Sequence, residues 1–149
     1  MMKSKMNVIR KDLKDAIRDE IEKLDLPVVY GELTESKNLD LPIYWYFPMP
    51  HVPEITGSHS EQHNFNYGFV AMVKHVDGVE EGKEKAEKLQ AELYDHVTRA
   101  DAGNLIRGKC HNILPGQYNP AYRRGDSQRI FWASCEIAFI VRRYKTTNC

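Results

Sequence analysis

Residues 129–143 read R-I-F-W-A-S-C-E-I-A-F-I-V-R-R. At a period of two, Phe131, Ala133, Cys135, Ile137, Phe139 and Val141 fall on one face, and Ile130, Trp132, Ser134, Glu136, Ala138 and Ile140 on the other. The first set is apolar enough to be domain core. The second mixes Trp132, Ala138 and Ile140 with Ser134 and Glu136, as expected of a sheet face that is only partly covered. Fully extended, such a strand would run about 50 Å, so it is expected either to bend or to leave the domain at one end. A half-apolar face needs a cover that little remaining chain can supply, which makes a second subunit the natural candidate.

The chain has 149 residues, with 21 Lys and Arg against 21 Asp and Glu. One domain from 1 to 149 with a real core is expected. Zero formal net charge argues against nucleic-acid binding by bulk electrostatics, although a local basic patch stays possible. Cys110, Cys135 and Cys149 are too few and scattered for a disulfide framework and read as free thiols in a reducing compartment. The start, M-M-K-S-K-M-N-V-I-R, lacks the apolar run of a signal peptide, and no stretch reads as membrane-spanning. The cytoplasm is the expected place of synthesis and assembly, with no membrane partner.

Working outward, residues 5–24 place Met6, Ile9, Leu13, Ala16, Ile17, Ile21 and Leu24 at helical spacing, until Pro27 stops the helix. Residues 28–33 read as a short strand, residues 34–40 as a polar connection, and I-Y-W-Y-F at 43–47 as a strand with aromatic residues on both faces. A long loop at about 48–64 follows, opened by Pro48, Pro50 and Pro53. Residues 65–76 are the third strand, ending in a turn at Asp77 and Gly78. Residues 80–100 form a second amphipathic helix, with Ala86, Leu89, Leu93 and Val97 on its buried stripe. A weaker strand is expected over 105–114, broken near Gly108, with a second long loop at about 115–128. The order predicts an α+β fold: a mixed or mostly antiparallel sheet of four to five strands with two helices packed on one face.

Few residues argue for chemistry. His59 and His63 have the four-residue spacing that could share zinc on a helix, but they lie in a Pro-, Gly- and Ser-rich stretch without a helical stripe or the H-E-x-x-H glutamate. Cys110 and His111, as neighbours in a strand, would point to opposite faces. Cys135 sits mid-strand on the apolar face, where burial raises a thiol pKa, and nothing identifies a base for Cys110. Glu136 could serve as an acid or base, but an interfacial or solvent-facing carboxylate is the preferred reading. No G-x-G-x-x-G, Walker loop or G-x-S-x-G is present. No catalytic group, cofactor or metal is expected. Arg123, Arg124 and Arg129, interleaved with Tyr118 and Tyr122, form the one local basic and aromatic cluster, suited to phosphate, acidic protein or base faces. Arg124-Gly125-Asp126 spells an adhesion tripeptide by chance, and Arg142, Arg143 and Lys145 read as a solvated basic strand end.

The layout resembles the tail terminator, or tail-completion, proteins of long-tailed bacteriophages, of the lambda minor tail protein U type. The resemblance lies in the N-terminal helix, the strand F-N-Y-G-F-V-A-M-V-K-H, the helix G-K-E-K-A-E-K-L-Q-A-E-L-Y-D-H-V, a variable loop and the final strand. It rests on element order and character, not on signature residues. It implies a small α+β subunit forming a ring, expected to be a hexamer, on the last ring of the tail tube. That ring stops tube polymerisation and gives the head-side connector a surface, placing the protein in the virion at the tail-neck junction. Its partners would be itself, the tail-tube protein and the neck protein, with DNA passing through the channel. On this reading Trp132, Ile140 and Glu136 make subunit contacts. The loops holding His51, His59, His63, Tyr118, Tyr122, Arg123, Arg124 and Arg129 meet partner rings or the DNA channel.

Two other readings stay open. One is a neighbouring neck component, separable from a terminator by which neighbour it binds. The other is a small α+β ligand-binding domain or enzyme, its pocket lined by Tyr44, Trp45, Tyr46 and the histidine loop.

Overall fold

The computed structural model describes residues 4–32, 41–74, 78–124 and 129–144, without the side chains of Arg123 and Arg124. The predicted connection at 34–40, the turn at Asp77, the tip of the second loop at 125–128, Lys145 and Cys149 lie outside the described residues.

Helix α1 spans Lys5–Glu22, where Ser4 caps it by accepting a hydrogen bond from the Asn7 amide. Strands β1 (Val28–Tyr30), β2 (Ile43–Pro48), β3 (Glu54–Gly57) and β4 (Ser60–Lys74) follow. Helix α2 is Val79–Thr98, and β5 (Asn112–Tyr118), β6 (Tyr122–Arg124) and β7 (Ile130–Tyr144) complete the sheet. The order across it is β1-β2-β4-β7-β5, with β3 on β4 and β6 on β7. Among the described residues only β1 and β2 run parallel; the other pairs are antiparallel. The α+β class is therefore as expected. The strand count is not: there are seven segments where four to five were predicted, because two lines of the sheet are interrupted. Beyond Pro48, Pro50 and Pro53 the line of β2 resumes along β4 as β3, and beyond Pro120 the line of β5 resumes along β7 as β6.

These interruptions correct three predicted boundaries. Residues 48–64 are not one loop; they contain β3 and the first five residues of a 15-residue β4. Residues 115–128 likewise contain most of β5 and all of β6. The strand expected over 105–114 divides into a 3₁₀ turn, Leu105–Gly108, capped by Asn104, and the start of β5. Pro115 is tolerated there because β5 is an edge strand, free of a ladder partner on its outer side.

The long strand read from the sequence is central, paired along its whole length from Ser60 opposite Tyr144 to Lys74 opposite Ile130. Phe131, Ala133, Cys135, Ile137, Phe139 and Val141 are all buried, and α1 and α2 cover this face. The aromatic strand β2 fastens both helices. Tyr44 donates from its hydroxyl to the Leu89 carbonyl of α2, and Tyr46 to the Lys14 carbonyl of α1, each over 3.2 Å. Tyr46 also stacks on Phe69, and Tyr67 meets Phe139 edge-on, so aromatic contacts tie β2, β4 and β7 together. Helix α2 approaches β7 so closely that a Cβ at Gly82 would stand 2.3 Å from Cε2 of Phe131.

The helix ends are locked by charge. The fully buried Glu20 carboxylate accepts two hydrogen bonds from Arg99, at 2.9 and 3.0 Å, and two from Lys23, at 2.8 and 3.2 Å. Arg99 continues to Asp101 at 2.9 Å, which joins α1, the end of α2 and the 3₁₀ turn. Burial pushes the Glu20 carboxyl up, yet Lys23 and Arg99 outweigh it and hold the group below its ordinary value.

Candidate functional site

Among the described residues no helix covers the sheet face opposite α1 and α2, and its composition changes along the strands. At one end Ile43, Val70, Met72 and Ile130 form a small buried cluster beneath Val29, Trp45, Phe47 and Trp132. The two indoles stack, with ring centres 6.2 Å apart, and Tyr122 adds a third ring 5.3 Å from Trp132. The Trp45 indole N–H donates to the Gly31 carbonyl, holding the strip against β1. Further along, Asn64, Asn66, Asn112 and Arg142 occupy the same face. Trp132 is thus at the centre of an aromatic strip 48% exposed at Tyr122. Glu136 is half-buried, opposite Gly68. Ile140, flanked by Asn64 and Asn112, keeps 8% of its surface, which leaves little of it for a partner.

Gly68 makes the strip possible. A Cβ there would stand 2.4 Å from Cζ of Phe47, so the ring lies directly on bare backbone. Gly68→Ala is expected to lift Phe47, destabilise the fold by about 1–2 kcal/mol and shift tryptophan emission, because Phe47 packs 4.6 Å from Trp45. Urea melts and emission spectra check this; an unchanged spectrum would mean that the ring stays in place.

A hairpin of β3 and β4 forms one end of the sheet, with every residue of β3 exposed. Ile55 is 85% and Val52 87% exposed. His59 lies in the hairpin turn, exposed, while His63 lies on β4 and is buried. The spacing that paired these two histidines therefore has no structural counterpart, since a strand puts residues four apart too far from one another. Instead His63 Nδ1 meets His51 Nε2 at 2.9 Å, and His63 Nε2 meets Glu61 at 3.0 Å, with Arg143 3.6 Å beyond. A carboxylate can only accept, so His63 Nε2 donates to Glu61 and its Nδ1 accepts from His51. Burial, and secondarily His63, push the His51 pKa down. The signal for this chain was the alternation of Glu61, His63, Phe65, Tyr67 and Phe69, which extends the inner face of β4 back into the supposed loop.

His51 stands at the wall of a cavity of about 420 Å³ between α1 and the sheet. Phe65, Tyr67 and Tyr30 form its aromatic wall; Arg10, Lys11 and Lys14 of α1 supply three cations, and among the described residues that line it none is acidic. The predicted ligand pocket had other walls. Tyr44 and Tyr46 are buried under the helices while Trp45, between them, points to the opposite face, so the three cannot line one cavity.

Tyr118 ends β5, exposed, its ring edge-on to Tyr94, and Arg129 is exposed with a φ of 47°. Arg123 and Arg124 pair by backbone with Phe131 and Ile130, so Tyr122, Arg123 and Arg124 belong to a strand of the sheet rather than a loop. Burial pushes the Cys110 thiol up to about 11 and Cys135 up to about 12, far from thiolate at neutral pH. Among the described residues no group of three or more His, Cys, Asp or Glu is placed to hold a metal ion, and no helix is long and apolar enough to cross a membrane. The sequence matches no protein-family model and no curated protein.

Proposed function

We propose that this chain is a structural subunit that closes into a ring, taken to be a hexamer, on the end of a phage tail tube. There it halts tube polymerisation and presents a surface to the neck, with DNA passing through the channel. Its work is assembly, not catalysis. The observation that carries this reading is the sheet face without helices, on which Trp45, Trp132 and Tyr122 cluster. Aromatic residues dominate the energetics of protein interfaces, and a closed ring needs two different patches on each copy. The hairpin at the end of the sheet, with Val52 and Ile55 bare, is a second apolar surface of the kind that meets another ring.

The test is negative-stain imaging, with mass determination, of the protein alone and mixed with a phage tail-tube protein. Rings, free or capping short tubes, are the expected result. Tyr122→Ala and Ile55→Asp should each cut capping at least tenfold with little change in melting temperature, because both side chains are exposed. Binding to the neck connector with no affinity for tubes would move the protein one place along the junction. The basic cavity favours a second reading, a small-ligand-binding domain: a monomer that ignores tubes and carries stoichiometric ligand would replace the ring reading with it.

A further inference from the structure

The solvent-facing arc of α1 carries two stripes of opposite charge. Asn7, Arg10, Lys11 and Lys14 line the cavity. On the other flank Val8, Asp12, Asp15 and Asp19 follow one another at i, i+4, i+7 and i+11, all exposed. The three aspartates border a second hollow, of about 280 Å³, with Ala16, Leu105 and Lys109. Elsewhere on the helix charges find partners: Arg18 pairs with Glu22, and Glu20 with Lys23 and Arg99. Among the described residues no such ion pair involves Asp12, Asp15, Asp19, Arg10, Lys11 or Lys14. Lys11 and Asp15 stand one turn apart, where the two stripes border each other, and no ion pair joins them.

We propose that adjacent copies of this chain join head to tail through α1, the acidic stripe of one copy closing over the basic cavity of the next. This rests on the ring reading above and names the contact that makes the ring. Three carboxylates meet three cations, and Val8, exposed at the end of the acidic stripe, meets the aromatic wall of the cavity. The two patches differ, so the contact is heterologous and propagates from copy to copy until it closes. The helix also sets the step. At about 100° per residue the stripe centres lie about 130° apart, so flush contact turns each copy by about 50° when α1 runs along the ring axis. That lies close to the steps of seven- and six-membered rings, about 51° and about 60°.

Charge reversal tests the contact in the full chain, with the tube protein present. Asp12→Lys with Asp15→Lys, and separately Lys11→Glu with Lys14→Glu, should each lower the ring population at least tenfold while circular dichroism and melting stay close to the parent. Mixing the two variants should restore rings, because their copies can alternate with every contact complementary. A single chain carrying all four changes should also assemble. Rings indifferent to either reversal would overturn the α1 contact and leave the ring reading intact. Folded variants that neither mixture nor combination rescues would also overturn it. Failure of the parent protein to form rings, alone or on tubes, would overturn both.

Discussion

Glu20→Ala will destabilise the fold by about 3 kcal/mol in urea unfolding, at the low end of what breaking a buried ion pair costs. The carboxylate is fully buried and accepts from both Arg99 and Lys23, so its removal takes two hydrogen bonds from Arg99 and the ion pair from Lys23. Those cations keep some access to water, which holds the loss to the lower end of the range. The pH dependence follows from the same contacts. Glu20 titrates below its ordinary value of 4.5 in the fold, so its contribution is complete above that value and is lost below it, as pH falls through the lowered value. His51 and His96 are also held below their ordinary 6.5, the first by burial and His63, the second by burial and Arg99. The unfolded chain therefore takes up their protons first, and stability falls as pH drops below about 6.5. Chemical denaturation across pH should show a plateau above neutrality and a decline beneath it. In Glu20→Ala the part of that decline near 4.5 should be much reduced, and an unchanged acid limb would refute the assignment.

Gly82→Ala should cost about 1–3 kcal/mol although alanine is the better helix former by roughly 1 kcal/mol. The added methyl carbon would stand 2.3 and 2.4 Å from two carbons of the Phe131 ring, which is itself buried among Val73, Ala86, Ala121 and Ala133. The ring has nowhere to move without opening that cluster. In a Phe131→Leu background the same change should cost far less, giving a coupling of about 1 kcal/mol or more in a double-mutant cycle. Additive effects would mean that the helix shifts as a body instead of pressing on the ring.

The α+β class, both helices and the faces of β7 were legible because each rests on a long, uninterrupted period. Leu13, Ile17 and Ile21 return at helical spacing on α1, and six apolar residues alternate along β7. The hairpin was not legible, since β3 has no buried residue and so no alternation to detect, and the prolines around it read as loop. The polar start of β4, Glu61 to Asn64, is held in the sheet by its partner residues 140–143, which local pattern does not report. The same reason hid the histidine chain: His51 and His63 are brought together by the fold rather than by spacing. Trp132 was placed on the second face by periodicity alone, but its stacking on Trp45 depends on β4 lying between their strands. Arg10, Lys11 and Lys14 looked like any solvated helix flank until β1 and β4 supplied the opposite wall of the cavity.

The ladder between β4 and β7 also governs how the chain finds its fold. Every registered pair in it joins residues on either side of α2, β5 and β6, so the central contact closes a loop holding much of the C-terminal half. Loop-closure entropy must be met before any of those pairs forms, and the core face of both strands is completed only when they do. Helices α1 and α2 can form locally within microseconds but have no sheet to rest on until then. Folding is therefore governed by non-local pairing and belongs with the slower single domains. Once the ladder closes, the sheet, both helices and the Glu20 network become secure together, so on the ring reading proposed above a newly made subunit is either ready to assemble or has no assembly surface at all.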